Sequence, residues 1–308
     1  MASRFTLPVP SDYLFYRDFC SYGYFLLAPN RWDPAARVLK RPLELSGGVA
    51  EVTVAQPEGK GAKLRVVSDR ALSRGEKAEV SRLLTRMLSL NDTGVREFHR
   101  LDPRWRRSGR GRLMRSPTLF EDIIKTVTSC NVAWPSTIRM NQRLCEVVDP
   151  AFPSAAKLAR VRPATLRARC SVGYRDKRIV ELARLAASGE IDAAWFEDPG
   201  TPDEAVLEAL IDLPGIGPYA AANIMQLLGR YHRLPLDTES VRHGRTVLGF
   251  EGTDKAVMAR VAAHFEPMGA HRFRSYWFEL WNWYEAKRGK SWTWDPATTG
   301  KSFTAAQF

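Results

Sequence analysis

The stretch from Leu213 to Ser240 constrains the fold of this chain more than any other segment, and it reads LPGIGPYAAANIMQLLGRYHRLPLDTES. Gly215 and Gly217 lie close together in it, and Pro218 follows directly. Glycines let one helix end in a tight turn, and a proline favours the first turn of the next helix. The unpaired amides of such a turn, together with the helix dipole, attract phosphate groups. The stretch therefore predicts two helices joined by a tight hairpin that can dock an anionic backbone.

A carboxylate lies at the end of this stretch. Asp237 precedes a new apolar run, which places it at the start of a helix. On position alone, the preferred interpretation of such an aspartate is an N-cap. A carboxylate this close to an anion-binding turn is also a candidate for acid–base or electrostatic chemistry, with Glu239 as the rival.

The sequence LPGIGPYAAANI followed by PLD resembles the helix–hairpin–helix and Gly/Pro-Asp signature of the DNA base-excision glycosylases. Similarity extends from about the N-terminus through Glu285. The resemblance implies that Asp237 is the catalytic carboxylate, because breaking an N-glycosidic bond builds positive charge on the deoxyribose. Glu239 does not match the family position. The hairpin residues that the resemblance places against DNA are Gly215, Gly217, Pro218 and Tyr219.

Asn131 follows the predicted helix that ends at Thr128-Ser-Cys. From the residues alone, it is a turn or C-cap asparagine. In the 8-oxoguanine glycosylases, an asparagine at the matching position fills the gap left by the flipped base, so the resemblance implies the same contact here. Two further asparagines follow in that family, whereas Val132 and Ala133 follow in this chain, so the match is partial.

Tyr174 and Arg175 lie at the start of another predicted helix. An interfacial tyrosine with a solvated arginine is the structural interpretation. The resemblance matches them to a Tyr-Arg pair that enters the opened duplex, the tyrosine as a wedge and the arginine toward the orphaned base. An aromatic ring beside a cation suits both stacking and phosphate contact, which favours DNA binding.

The cysteines argue against an iron–sulfur cluster. Cys20, Cys130, Cys145 and Cys170 stand alone without a C-x-x-C pair, so we expect reduced, mostly buried thiols. Relatives resembling endonuclease III carry a four-cysteine cluster after the catalytic domain, and this chain has no cysteine there. The histidines form no ligand pair, and no catalytic metal is expected. A structural Na⁺ or K⁺ is implied by the resemblance alone, held by backbone carbonyls at Ile211, Leu213 and Ile216.

Composition and charge limit the kinds of partner that the chain can bind. It has 308 residues, 44% hydrophobic, with a net charge of +12, which fits a globular protein that attracts polyanions. DNA, RNA and anionic membranes all satisfy the charge alone. No apolar run approaches the roughly 18 residues that a membrane span needs, so we expect a soluble, intracellular monomer with no membrane partner.

Periodicity predicts a mainly α fold with an N-terminal antiparallel sheet. Short β-branched or aromatic runs read as strands at 24–27, 37–45, 49–55 and 64–67. Helical spacing begins after Ser73, which forms a capping-box pair with Glu76. The expected domains are an N-terminal part with sheet, helices and basic loop at 1–115, a helical helix–hairpin–helix domain at 116–288, and a tail of low order at 289–308.

The segment from Arg100 to Arg115 contains seven arginines in sixteen residues. It is interpreted as a basic loop, which is either a solvated linker between the two main parts or a contact to the DNA backbone. The sequence supports the two interpretations equally.

The resemblance predicts a DNA glycosylase that acts on duplex DNA containing a damaged base, in the bacterial cytoplasm or nucleoid or in a nucleus. Tyr219 resembles the alkylpurine branch, with substrates such as 3-methyladenine. Asn131, Tyr174 and Arg175 resemble the 8-oxoguanine branch, whose members are glycosylase/lyases. Two competing hypotheses are a catalytically silent hairpin protein that only binds DNA and an RNA-binding protein, although the chain has no RNA-binding motif.

Tyr219 also bears on the fate of the sugar once the base has been released. Bifunctional members of the family place a lysine at this position, where its amine attacks the sugar carbon and forms a Schiff base. A phenol has no such amine, so we expect a monofunctional enzyme that leaves an intact abasic site.

Overall fold

The structure, a computed structural model, describes residues 1–299 of the chain. A five-stranded antiparallel sheet forms the N-terminal part, in the order β1-β5-β4-β3-β2. Side chains on the long strands β3 and β4 alternate between buried and less buried positions, as expected for a sheet with one face on the core. The strands are β1 (Arg4–Leu7), β2 (Arg31–Asp33), β3 (Val38–Leu45), β4 (Gly48–Ala55) and β5 (Leu64–Ser68).

Three of the four predicted strands are confirmed, as β3, β4 and β5. The prediction at 24–27 is wrong, because Gly23–Leu26 is a 3₁₀ helix. Tyr24, Phe25 and Leu26 are all buried. Because every side chain in this run is apolar, the sequence has no periodicity that could distinguish a strand from a helix. The two short strands β1 and β2 were not predicted.

Helices account for most of the chain, so the predicted mainly α fold with an N-terminal antiparallel sheet is confirmed. The predicted capping box between Ser73 and Glu76 is present at the start of the second helix. The helices are α1 (Phe15–Phe19), α2 (Arg74–Met87), α3 (Val95–Leu101), α4 (Leu119–Ser129), α5 (Trp134–Val147), α6 (Ala155–Leu158), α7 (Pro163–Cys170), α8 (Asp176–Ser188), α9 (Ala193–Glu197), α10 (Asp203–Ile211), α11 (Pro218–Leu227), α12 (Thr238–Thr246), α13 (Asp254–Phe265) and α14 (Arg272–Arg288).

Two hydrophobic cores organise these elements. One joins the sheet to α2 and to the C-terminal helices α13 and α14. The other is built from the middle of the chain, chiefly α4, α5, α8, α10 and α11. The segment between α11 and α12 passes from the second core to the first, since Ile224 belongs to the second and Val241 to the first. Asp237, at the end of this segment, therefore lies where the two cores meet, while the predicted hairpin packs on the second core through Ile216.

The arginine-rich segment is mostly bound by the protein itself, which neither interpretation anticipated. Arg110 donates to both carboxylate oxygens of Glu285 on α14, at 2.7 Å each. Arg112 binds Asp12 at 2.6 Å, and Arg115 donates to two backbone carbonyls. Arg104 binds Asp102 and Glu279. These four side chains fasten the segment to the rest of the protein, whereas Arg100, Arg106 and Arg107 are exposed.

The chain after α14 packs against the sheet-bearing core. Trp294 is buried, with its ring 5.2 Å from that of Trp281, and the carbonyl of Trp292 accepts a hydrogen bond from Trp32 at 2.9 Å. The expectation of low order is therefore wrong for residues 289–299; the rest of the predicted tail, 300–308, lies outside the described residues. Over residues 1–299, no helix is long and apolar enough to cross a membrane.

Candidate active site

An aromatic cavity of about 470 Å³ lies at the junction of the two cores. Its walls come from the 3₁₀ turn at Gly23–Leu26, the turn between α4 and α5, and helices α11, α12 and α14. Asp237 and Tyr219 line it, which brings together two residues predicted from the sequence. The other aromatic rings that line the cavity are Tyr22, Tyr24, Trp134, Trp277, Trp281 and Tyr284.

Asp237 is the N-cap of α12. Its Oδ1 accepts hydrogen bonds from the amides of Glu239 at 3.0 Å and Ser240 at 3.1 Å. The Ser240 hydroxyl in turn accepts from the Asp237 amide at 2.8 Å, which completes a capping box. The N-cap interpretation is thus confirmed, and it fixes the carboxylate in one orientation.

The other carboxylate oxygen of Asp237 bonds to a residue that lines the cavity. Oδ2 accepts a hydrogen bond from the Tyr219 hydroxyl at 2.8 Å. Burial raises the pKa of Asp237, and the bonds from Tyr219 and the two amides oppose part of that rise. Burial and the adjacent carboxylate also raise the pKa of Tyr219, so the phenol stays protonated and donates. Oδ2 is the atom available to act on a ligand in the cavity.

The predicted hairpin forms between α10 and α11, and Pro218 occupies the first position of α11. Gly215 has φ 77°, a left-handed conformation that favours glycine. The Ile216 amide donates to the Leu213 carbonyl at 3.0 Å and closes the turn. A side chain at Gly217 would meet nothing within 4 Å, so this side of the turn is open to a ligand.

Arg178 on α8 covers the other side of the hairpin. A Cβ at Gly215 would lie 2.4 Å from the Arg178 Cδ, so the arginine stem packs on the turn where only a glycine fits. The same guanidinium lies 5.4 Å from the centroid of the Tyr174 ring, and the residue is exposed. Arg178 adds a cation between the hairpin and Tyr174 that sequence reasoning missed.

Tyr174 and Asn131 lie on neighbouring turns. Tyr174 is 55% exposed, and Asn131 is exposed with φ 55°. Arg175 is buried between them, with its guanidinium bonded to the carbonyls of Val127 and Cys130 at the end of α4. It therefore ties the two turns together and does not project outward as the family resemblance implied.

Glu239 is the other site residue that sequence reasoning set aside. It lies two residues after Asp237 and lines the same cavity. Tyr22 was also missed as a cavity residue, because it lies more than 250 residues before Trp281, which lines the same cavity. Spacing along the chain carries no signal for such an arrangement.

Residues 1–299 contain no group of three or more His, Cys, Asp or Glu side chains that could hold a metal. The four cysteines are unbonded thiols, three of them buried. Burial raises the pKa of Cys145 to about 12 and that of Cys130 to about 11, so both remain protonated near neutral pH.

The architecture is similar to that of solved DNA glycosylases. A 3-methyladenine DNA-glycosylase from Archaeoglobus fulgidus superimposes with a TM-score of 0.65 and 19% identity, covering 92% of this chain and 98% of that chain. An 8-oxoguanine glycosylase/lyase from Clostridium acetobutylicum matches with a TM-score of 0.56 and 19% identity, over 77% of this chain and 87% of that chain. The latter enzyme with double-stranded DNA matches at a TM-score of 0.56 and 18% identity, over 81% and 89%. No protein-family model and no curated protein matches the sequence.

Proposed function

We propose that this protein, which has the fold of the helix–hairpin–helix DNA glycosylases, is a monofunctional DNA glycosylase. It hydrolyses the N-glycosidic bond of a flipped, damaged base and leaves an abasic site. The observation that carries the proposal is the Asp237 carboxylate, which is locked by the α12 N-terminus with Oδ2 beside an aromatic cavity. An N-cap alone would not need to line such a cavity.

The proposed chemistry is consistent with this geometry. As the glycosidic bond breaks, positive charge develops on the deoxyribose, and the Asp237 carboxylate stabilises it electrostatically. The same oxygen can orient or deprotonate the attacking water. The aromatic walls stack on the extruded base. We favour alkylated purines such as 3-methyladenine, because alkylation leaves the base cationic and the faces of tryptophan and tyrosine attract cations.

Tyr219 supports a monofunctional reaction. By the family resemblance, Tyr219 occupies the position where bifunctional members carry a lysine. Its hydroxyl donates a hydrogen bond to Asp237. No lysine is among the described residues that line the cavity. Without an amine near the sugar, no Schiff base forms, and the DNA strand stays intact.

In this proposal, the partner is double-stranded DNA inside the cell. The hairpin of Gly215, Gly217 and Pro218 binds a backbone phosphate through its glycine amides, on the side that is open at Gly217. Tyr174 acts as the wedge and Asn131 as the gap filler, while Arg175 holds their two turns in place. The protein acts as a monomer.

The hairpin carbonyls of Ile211, Leu213 and Ile216 are proposed to hold a structural Na⁺ or K⁺. Among residues 1–299, the Leu213 carbonyl accepts a single hydrogen bond, which leaves one of its two lone pairs for a cation. If this is correct, replacing K⁺ by tetramethylammonium at constant ionic strength weakens DNA binding, whereas equal affinities contradict the site.

The test of the proposed function is a base-release screen. Duplexes carry 3-methyladenine, 7-methylguanine, 1,N6-ethenoadenine, 8-oxoguanine, uracil or hypoxanthine. We expect release of an alkylated purine, with no strand break until alkali is added and no adduct trapped by borohydride. Release of 8-oxoguanine with a trapped adduct supports the second candidate, an 8-oxoguanine glycosylase/lyase, which the exposed Asn131 and Tyr174 favour. Release of no base overturns the glycosylase proposal, and binding to the same duplexes without release indicates a protein that only binds DNA.

A further inference from the structure

A second carboxylate, Glu239, enters the cavity from the first turn of α12. Its Oε1 accepts a hydrogen bond from Arg242 Nε at 2.8 Å and another from the Tyr284 hydroxyl. The Arg242 guanidinium is itself held 3.7 Å from the centroid of the Trp283 ring. The side chain of Glu239 is therefore fixed through one of its two oxygens.

The other oxygen of Glu239 is free to receive a ligand. Within the described part of the chain, Oε2 accepts no hydrogen bond, and only 19% of the side chain is exposed. A carboxylate oxygen such as Oε2 offers lone pairs that accept hydrogen bonds. The matching ligand group is an N–H donor.

Asp237 does not provide this contact. Its Oδ1 is occupied by two backbone amides, and its Oδ2 is held by Tyr219 and assigned to the sugar. The two carboxylates thus have separate environments in one cavity. Asp237 accepts from two backbone amides and from Tyr219, whereas Glu239 accepts from the side chains of Arg242 and Tyr284.

We propose that Glu239 determines which base the cavity accepts, by receiving a hydrogen bond from an N–H group on the edge of the flipped base. This inference rests on the proposed glycosylase function and deepens it, because the cavity then favours alkylated purines that keep an amino group over those that lack one. 3-Methyladenine has a 6-amino group that satisfies Oε2. In 1,N6-ethenoadenine, N6 is part of an added ring and carries a lone pair in place of hydrogen.

Glu239→Gln tests this inference directly, because the neighbouring hydrogen-bond donors fix the orientation of the glutamine amide. Arg242 and Tyr284 both donate, so the glutamine oxygen must take the place of Oε1. Its NH₂ group then occupies the position of Oε2 and turns an acceptor into a donor. In the variant, the glutamine NH₂ group faces the amino group of 3-methyladenine, so two donors meet. The same NH₂ group can donate a hydrogen bond to the N6 lone pair of ethenoadenine.

The experiment measures single-turnover release of both bases by the wild-type protein and by Glu239→Gln. We expect release of 3-methyladenine to fall about 10- to 100-fold, the range for one hydrogen bond to a charged group, with release of ethenoadenine unchanged or increased. Asp237→Asn is the matched control and should lower both rates in parallel. Unfolding temperatures verify that both variants are folded.

The experiment distinguishes failure of the inference about Glu239 from failure of the proposed function. If the wild-type protein releases 3-methyladenine but Glu239→Gln lowers both rates equally, or neither, the role of Glu239 is overturned and the glycosylase proposal stands. If the wild-type protein releases neither base, both the alkylpurine proposal and this inference are overturned.

Discussion

Asp237 combines two roles, since one oxygen caps α12 and the other lies at the cavity. The variant Asp237→Asn separates them, because asparagine caps a helix about as well as aspartate but carries no charge. We expect base release to fall about 100- to 1,000-fold or more, while the unfolding temperature and the affinity for damaged duplex stay near wild type. Near-normal release by this variant would place the catalytic carboxylate elsewhere.

Tyr219 influences the pH at which Asp237 works. Burial raises the pKa of Asp237, so the acid limb of the base-release rate should lie above the ordinary aspartate value of about 3.9. The phenol donates to the charged carboxylate and lowers its pKa, so Tyr219→Phe should move the limb upward by about one pH unit. The readout is the single-turnover rate as a function of pH.

Tyr22→Phe is the matched control for Tyr219→Phe. Tyr22 lines the same cavity, but its hydroxyl accepts from Gln226 at 2.9 Å and does not bind Asp237. Its removal should leave the midpoint of the acid limb in place. Equal shifts in both variants would indicate a general change in cavity polarity.

At the scale of elements, the turn after α4 and the turn before α8 behave as one unit. Arg175 bonds the carbonyl of Cys130, directly before Asn131, and its guanidinium lies 4.5 Å from the centroid of the Tyr174 ring. If this unit opens the base stack, Tyr174→Ala and Asn131→Gly lower base release from a paired duplex by about 10-fold, and far less from a mismatched or single-stranded substrate.

The choice of glycine at position 131 isolates the side chain. Asn131 has φ 55°, which glycine adopts without strain whereas alanine does not. Parallel losses on paired and mismatched substrates would mean that these residues support the cavity or the packing instead of opening the duplex.

At the scale of the whole molecule, the net charge of +12 is the source of a DNA-binding prediction. The logarithm of DNA affinity should fall steeply and linearly with the logarithm of salt concentration. Because Arg178 lies beside the hairpin, Arg178→Ala should make the slope shallower by about one, and Arg178→Lys should restore it. A flat salt dependence in the wild-type protein argues against backbone binding altogether.

The arginine-rich segment shows why charge in a sequence is a poor guide to surface. Four of its seven arginines are engaged by the protein itself, and the carboxylate that binds Arg110 lies 175 residues away. Breaking a buried pair such as Arg110–Glu285 typically costs about 3–5 kcal/mol, so Arg110 stabilises the junction between the N-terminal part and α14. Only the folded chain reveals which cations remain for a partner.

The sequence by itself determined the local features of this protein. The Gly-Pro hairpin, the capping box at Ser73, the N-cap at Asp237 and most strands and helices depend on residues within a few positions of one another. Only the tertiary structure decided the composition of the cavity, the burial of Arg175 and the free oxygen of Glu239. The physical reason is range: backbone conformation and capping depend on neighbours in sequence, whereas the cavity is formed by two cores that bring together side chains from opposite ends of the chain.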